Sequence, residues 1–428
     1  MNVSAHRAFS LLKDLAFERV SCSEAENRAA QRLLAEAQSA GVQAVIEPFT
    51  VPCGRVRHAK LVVTEPYRKE YEVTGYERAL STPEGGVDLP FYYAENGLPA
   101  HLGNVKGKAV LINGRLGRKA YKHLQKNGAA AILTFSGSTI GRRSETDCDI
   151  RKLREMLTDD FGKNIALNMR AEDAAEMVRR GAKAMHIELT AEDYDGESRN
   201  VCAVIEGTEK PEEIISFGAH YDSVYFSTGV YDNMAGSVII MELLRYFAVH
   251  KPARTMKFNW YGSEEQGLLG SKAWVKAHAD ELDKHVLMIN VDVAAATLGQ
   301  NAAPVLGTDA ATAYVDGLMR ELGVACDVKS DIYSSDCIPF ADHGIPAVNL
   351  YRSGTAGANY IHDRRDNLKS GYIDERALDI TLQQALFLAR RVDGAKVFPI
   401  ERKISDDIRK KVDEYLFKTD KKQEGEKQ

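Results

Sequence analysis

A chain of 428 residues exceeds one ordinary domain and suits two, and its 44 % hydrophobic content is enough to fill their cores. The net charge of −5 leaves no positive excess to attract nucleic acid, and no apolar run approaches the roughly 20 residues of a membrane span. Neither a nucleic-acid-binding nor a membrane-embedded protein is expected.

Residues 4 to 16 and 23 to 40 carry apolar side chains at helical spacing, with Ser23 and Glu26 forming a capping box and Gly41 a stop. The start of the chain is polar and amphipathic and lacks the apolar centre of an export signal, so a cytoplasmic location is expected. Residues 42 to 51 read as a strand. From about Cys53 to Ser198 the texture changes to short strands and turns around one clear strand–helix–strand unit (108–113, 118–127, 129–135). A strand near 165–167 and a helix over 171–180 follow. This stretch is expected to be a separate β-rich α+β module inserted into the first domain.

Beyond it, strands are expected at 200–207, 214–219, 255–261, 286–291 and 347–351. Helices are expected at 237–249, 274–279, 314–322 and 374–392. The alternation predicts an α/β fold, a mostly parallel but mixed central sheet with helices on both faces. The expected domains are 1–52 with 199–400 for chemistry, 53–198 for the insert, and 401–428 as a charged C-terminal helix and tail, frayed after Lys418. The six cysteines, Cys22, Cys53, Cys148, Cys202, Cys326 and Cys337, show no paired metal spacing and are expected as reduced thiols rather than a disulfide framework.

Chemistry concentrates after residue 217, at or just beyond strand ends, where open α/β sheets place their sites. In Gly-Ala-His220-Tyr-Asp222 the two side chains stand two apart and can face one way. His220 reads as a metal ligand and Asp222 as the carboxylate that supports it; alone, the pair would pass for a surface contact. Asp232 precedes a helix, where an acid is often an N-cap, yet beside His220 it is better read as a carboxylate bridging two metals. Glu264 and Glu265 end an apolar strand, and burying both is costly without cations. Glu265 reads as a ligand and Glu264 as the general base for a metal-bridging hydroxide. Asp292 ends a buried strand, and His362 in its Gly-rich loop supplies the fifth ligand. Asp366, four residues on, is placed to orient it. Tyr333, Ser335 and Asp336 are expected to line the cleft; a Tyr333 hydroxyl there could help hold an oxyanion, although core or loop packing is the favoured role for Tyr333. The remaining histidines, His343 included, read as structural.

Together these motifs resemble the two-zinc aminopeptidase family that includes bacterial leucyl aminopeptidases and glutamate carboxypeptidase. The resemblance runs from Asn200 to Asn367 and rests on Gly-Ala-His220-Tyr-Asp222-Ser, Asp232-Asn, Glu264-Glu265-x-Gly-Leu-x-Gly-Ser, Asn-Val-Asp292, Ser-Asp336 and His362-x-x-x-Asp366. It implies the zinc-exopeptidase fold and two divalent metals, zinc with cobalt or manganese as alternatives. One would be held by Asp232, Glu265 and His362, the other by His220, Asp232 and Asp292. Gly107-Lys-Ala-Val-Leu-Ile and Gly128-Ala-Ala-Ala-Ile-Leu resemble the protease-associated domain that many members insert before the first ligand. Asp363 departs from the family, in which a hydroxyl-bearing residue is frequent at that place.

The implied activity is metal-dependent exopeptidase action, foremost aminopeptidase cleavage of short peptides, with no nucleic-acid or membrane partner and with self-association left open. Competing readings are a dipeptidase, carboxypeptidase or amidohydrolase on the same metals, or a non-catalytic receptor-like scaffold. The related amidohydrolases place a whole domain between the last acid and the final histidine, whereas only about 70 residues separate Asp292 from His362. A scaffold would be expected to have lost ligands.

Overall fold

Four apolar segments, Ala347–Gly354, His285–Val291, Lys210–His220 and Arg254–Tyr261, lie side by side in that order as parallel strands in the computed structural model. The structure describes residues 2–114, 116–139, 141–355 and 357–418, so the expected frayed end after Lys418 lies outside the described residues. Antiparallel neighbours close the set. Val201–Ile205 pairs with Arg254–Tyr261, and Gly299–Leu306 pairs with Ala347–Gly354 and carries Asp327–Ser330 beyond it. The sheet is therefore mixed, with a parallel centre.

Alternation along these strands separates two faces. Phe217, Phe258, Leu287, Ile289 and Val291 point into one core, where the rings of Phe217 and Phe258 stack at 4.8 Å. The helices Ala235–Val249, Ala5–Asp14 and Glu375–Asp393 cover that face; the first carries eleven buried residues, which explains its near-continuous apolar sequence. Tyr261, Met288 and Ala347 point the other way, toward the helices Leu269–Ala277, Cys337–Asp342 and Asp406–Tyr415. The strands at 299–306 and 327–330 and the helix at 337–342 have no counterpart among the elements read from sequence. The first contains Pro304 in an otherwise mildly polar run, and the others span only a few residues.

The chain separates into two compact units, Met1–Phe49 with Glu197–Gln428, and Thr50–Gly196. The second unit has its own core around Val110, Ile132, Leu133 and Leu167. Its strands Ala109–Leu111, Ala131–Ser136 and Ile165–Arg170 are parallel, with the helices Arg118–Lys126 and Glu155–Phe161 between them in sequence. Antiparallel Val73–Glu77 pairs with the last of these.

The capping box at Ser23 forms by half. Ser23 Oγ accepts the Glu26 N–H at 3.0 Å, but the Glu26 carboxylate reaches back to the Cys22 N–H at 2.7 Å. Its other oxygen takes the Ser198 hydroxyl at 2.7 Å and the Ser263 N–H at 3.2 Å. Burial draws this side chain into holding the loop before Glu264, and burial also pushes its pKa up to about 8.

Candidate active site

In chain order the sheet passes from Lys210–His220 to a neighbour on one side and then to one on the other, a reversal that opens a crevice at the strands' C-terminal ends. His220 is the last residue of its strand and is buried. Its Nε2 lies 3.1 Å from Asp232 Oδ1, 3.4 Å from Asp292 Oδ1 and 3.9 Å from Glu264 Oε2. The other oxygen of Asp232 lies 3.1 Å from His362 Nε2, which is 3.0 Å from Glu265 Oε2. Asp232 thus stands between two groups, His220–Asp232–Asp292 and Asp232–Glu265–His362, each with its donor atoms within 4.8 Å of one another.

The donors fit a metal. Ligands held about 2.0–2.2 Å from a tetrahedral zinc ion lie roughly 3.3–3.6 Å apart, close to the 3.0–3.4 Å between each histidine nitrogen and its two carboxylates. One ring nitrogen carries at most one proton, so His220 Nε2 cannot satisfy the carboxylates crowded around it. Asp232 Oδ2 and Asp292 Oδ1 are buried without a well-aligned hydrogen-bond donor, an expensive arrangement for ionised acids unless a cation neutralises them. Imidazole and carboxylate donors in this mixture suit zinc and its first-row neighbours.

The electrostatics reflect the crowding. Burial opposes charge on His220, but Glu264, Asp222, Asp232 and Asp292 outweigh it and drive its pKa well up. Burial likewise opposes charge on His362, and Glu265 and Asp232 reverse the balance. Burial alone would raise the pKa of Asp232; the facing imidazoles of His220 and His362 bring it down instead. Glu264 is pushed far up, chiefly by burial, with His220 opposing and Glu265, Asp336 and Asp292 adding to the shift.

Further contacts hold these residues in place. Asp222 Oδ1 lies 3.4 Å from His220 Nδ1, while its two oxygens accept the main-chain N–H groups of Glu264 at 3.0 Å and Glu265 at 3.1 Å. Asn233, whose peptide bond with Asp232 is cis, donates from Nδ2 to Val291 O at 2.8 Å. Its Oδ1 accepts the N–H groups of Gly236 at 3.0 Å and Val293 at 3.2 Å. One amide therefore sets the distance between the segments bearing Asp232 and Asp292. A Cβ on Gly236 would come within 2.3 Å of Val291 O, so only glycine lets this helix start approach the strand. Ser263, Val293, Ala295 and His362 all have φ between 54° and 72°, a clustering of left-handed, non-glycine backbone typical of functional sites.

The residues expected around the metals fall into three placements. Asp366, anticipated as a partner for His362, directs its oxygens to the N–H groups of Tyr231 at 2.8 Å and Asp232 at 3.1 Å. Ser335 and Asp336 are wholly buried rather than on a cleft wall, and burial lifts the Asp336 carboxyl to about 7. Tyr333 stacks on Tyr351 at 4.9 Å; burial, then the charges of Asp292 and Asp232, raise its pKa and keep the hydroxyl protonated. Asn233 has no role in the sequence reading, although it stands in the motif Asp232-Asn. His343 and His285 sit apart from both donor groups, against Pro339 O and Ser216 Oγ.

Residues 200–389 match the model of peptidase family M28. Carboxypeptidase Q of Mus musculus is 26 % identical over 368 residues, covering 81 % of this chain and 77 % of that protein. Aminopeptidase YwaD of Bacillus subtilis is 25 % identical over 288 residues, covering 63 % of this chain and 59 % of that protein. The structure of BSAP, a zinc aminopeptidase from Bacillus subtilis, superposes with a TM-score of 0.76 at 20 % identity, covering 95 % of this chain and 99 % of that one. Among the described residues no helix is long and apolar enough to cross a membrane.

Proposed function

From the match of residues 200–389 to the model of peptidase family M28, we propose that the chain is a member of that family and a metal-dependent exopeptidase, an aminopeptidase acting on short peptides. The observation that carries this reading is Asp232 set between two donor groups with Glu264 alongside. His220, Asp232 and Asp292 would hold one divalent ion, and Asp232, Glu265 and His362 a second, zinc in both with cobalt or manganese as alternatives. Ions bound there supply the Lewis acidity that polarises a peptide carbonyl and acidifies water.

The chain's own groups do the rest. Glu264 takes a proton from the attacking water and delivers it to the departing amine, working as base and then acid. Asp222 fixes the main chain from which Glu264 projects. The Tyr333 hydroxyl, held protonated, donates to the oxygen that gains charge when the carbonyl is attacked. A substrate's free α-ammonium group would approach the acidic residues gathered around the proposed metals. We read Thr50–Gly196 as a protease-associated module, and the six cysteines, reduced rather than joined in disulfides, favour a cytoplasmic setting.

A carboxypeptidase or dipeptidase reading is favoured by one observation, the similarity to mouse carboxypeptidase Q over 81 % of the chain. The test is a panel of aminoacyl amides, dipeptides and N-blocked peptides, assayed after metal stripping and zinc add-back. Zinc-dependent release of N-terminal residues is expected. Turnover confined to N-blocked peptides with a free C-terminus would replace the aminopeptidase reading, and no zinc-dependent turnover of any peptide would end the exopeptidase reading.

A further inference from the structure

Arg19 lies between the first two helices, outside the region matched by the family model, and is completely buried. Its guanidinium donates to five main-chain carbonyls. Nε reaches Tyr221 O at 2.6 Å, and Nη1 reaches Leu15 O at 2.9 Å, Phe17 O at 2.6 Å and Thr228 O at 2.6 Å. Nη2 reaches Gly229 O at 2.9 Å. Its own N–H donates to Ser223 Oγ at 2.9 Å, and its carbonyl accepts the Ser223 N–H at 3.1 Å.

The loop 221–229 therefore wraps one arginine. That loop leaves the sheet at His220 and ends three residues before Asp232, so its path sets the separation of two of the proposed ligands. There is little slack: Gly229 has a φ of +52°, and a Cβ there would meet Asp232 O at 2.6 Å and Arg19 Nη2 at 2.9 Å. Burial lowers the pKa of this guanidinium to about 10, and the nearby charges of Asp366, Asp222 and Asp232 act against that shift. Asp366 in turn receives the N–H groups of Tyr231 and Asp232, and its carbonyl accepts the Thr228 hydroxyl at 3.0 Å. A planar fork with donors in fixed directions can gather carbonyls from two chain segments at once, which a lysine ammonium cannot reproduce.

We propose that Arg19 is a positioning residue that fixes the loop between His220 and Asp232, and thereby the spacing of these ligands. This rests on the metallopeptidase reading above. It makes the N-terminal segment a working part of the site.

The test compares the full-length parent, Arg19→Lys, Ser223→Ala and Leu33→Ala, the last a core truncation in the second helix far from the loop in sequence. Each is stripped of metal and titrated with zinc against a chromophoric chelator. kcat and KM are measured at saturating zinc, and amide exchange is followed over residues 221–232. Arg19→Lys is expected to lose at least about tenfold in zinc affinity and in kcat, with KM nearly unchanged and faster exchange in the loop, in keeping with the usual effect of losing a group that orients ligands. Leu33→Ala is expected to lose stability without these changes. Parent-like zinc affinity in Arg19→Lys, or equal losses in Leu33→Ala, would overturn the proposal. If Arg19→Lys does not fold, Ser223→Ala decides: a severalfold weaker zinc affinity is expected, and parent-like affinity overturns it. A parent that binds no zinc would instead remove the metallopeptidase reading itself.

Discussion

Asp222 holds Glu264 by its main chain: one carboxylate oxygen accepts the Glu264 N–H at 3.0 Å, and the other accepts that of Glu265 at 3.1 Å. The same side chain lies 3.4 Å from His220 Nδ1. A single buried acid thus links the strand end bearing the first proposed ligand to the turn bearing the base and another ligand. An alanine at 222 leaves two buried N–H groups without acceptors. An asparagine replaces one acceptor oxygen with a donor that opposes an N–H. Asp222→Ala is expected to lower kcat by about 10- to 100-fold and to weaken zinc binding, with Asp222→Asn intermediate. Steady-state kinetics and zinc titration measure both; a parent-like kcat in Asp222→Ala would remove this coupling.

Glu264 is the group whose loss should separate chemistry from metal binding. Glutamine keeps the size of the side chain but cannot accept and return a proton. Glu264→Gln is expected to lose about 10²- to 10⁴-fold in kcat while zinc stoichiometry stays at the parent value. Stripping metal with a chelator should abolish turnover in the parent. It should also lower the melting temperature, because zinc at 100 times its Kd adds about 2.7 kcal/mol to folding stability. A Glu264→Gln variant with most of the parental rate would assign the proton transfer elsewhere.

The site was legible where the chemistry needs particular side chains at strand ends. His220, Asp292 and the Glu264–Glu265 pair follow apolar runs long enough to be read as buried strands, and an acid at the end of such a run is costly without a purpose. His362 gave no such local signal, since its loop resembles any exposed Gly-rich turn, and only the upstream motifs singled it out. What sequence could not convey was the use of side chains on the main chain. Asp366 was read against its neighbour in sequence, His362, yet it serves Tyr231 and Asp232, more than 130 residues away. Arg19 and Asn233 gave no pattern either, because an arginine or asparagine that donates to carbonyls obeys no spacing rule. In the fold, the central strands were visible through hydrophobic continuity, whereas the strand at 299–306 opens on polar residues and contains Pro304, and the edge strand at 327–330 spans four residues, so neither gave a clear pattern.

Asn233 tests how far this hidden scaffolding matters. Its amide bonds Val291 O, the Gly236 N–H and the Val293 N–H, all on segments that flank proposed ligands. Removing it strands buried main-chain groups at a cost of about 1–3 kcal/mol each when no water replaces the amide. Asn233→Ala is expected to lower the urea midpoint and to weaken zinc binding, because Asp232 loses its fixed distance from Asp292. Unchanged denaturation and zinc titration curves would show that the segments hold their places without it.

A last prediction concerns stability and pH, away from the metals. His278 stacks on Trp274 at 4.4 Å, with Nδ1 2.9 Å from Glu281 and Nε2 3.1 Å from Glu47. The hydrogen bonds that the ring donates to Glu281 and then to Glu47, working against partial burial, raise its pKa to about 9. The folded state therefore binds this proton more tightly than the unfolded chain, in which a histidine titrates near about 6.5. The stabilisation is fully present below that value and is lost as pH rises toward 9, since unfolding stability falls wherever the folded state holds more protons. Urea unfolding of the metal-stripped protein at pH 6, 7.5 and 9 is expected to show a decline that is shallower in His278→Gln, because glutamine has no proton to lose. The rest of the decline belongs to the other buried groups whose pKa is raised, Glu26 and Asp336 among them. Equal slopes in parent and variant over this range would place the alkaline loss in another group.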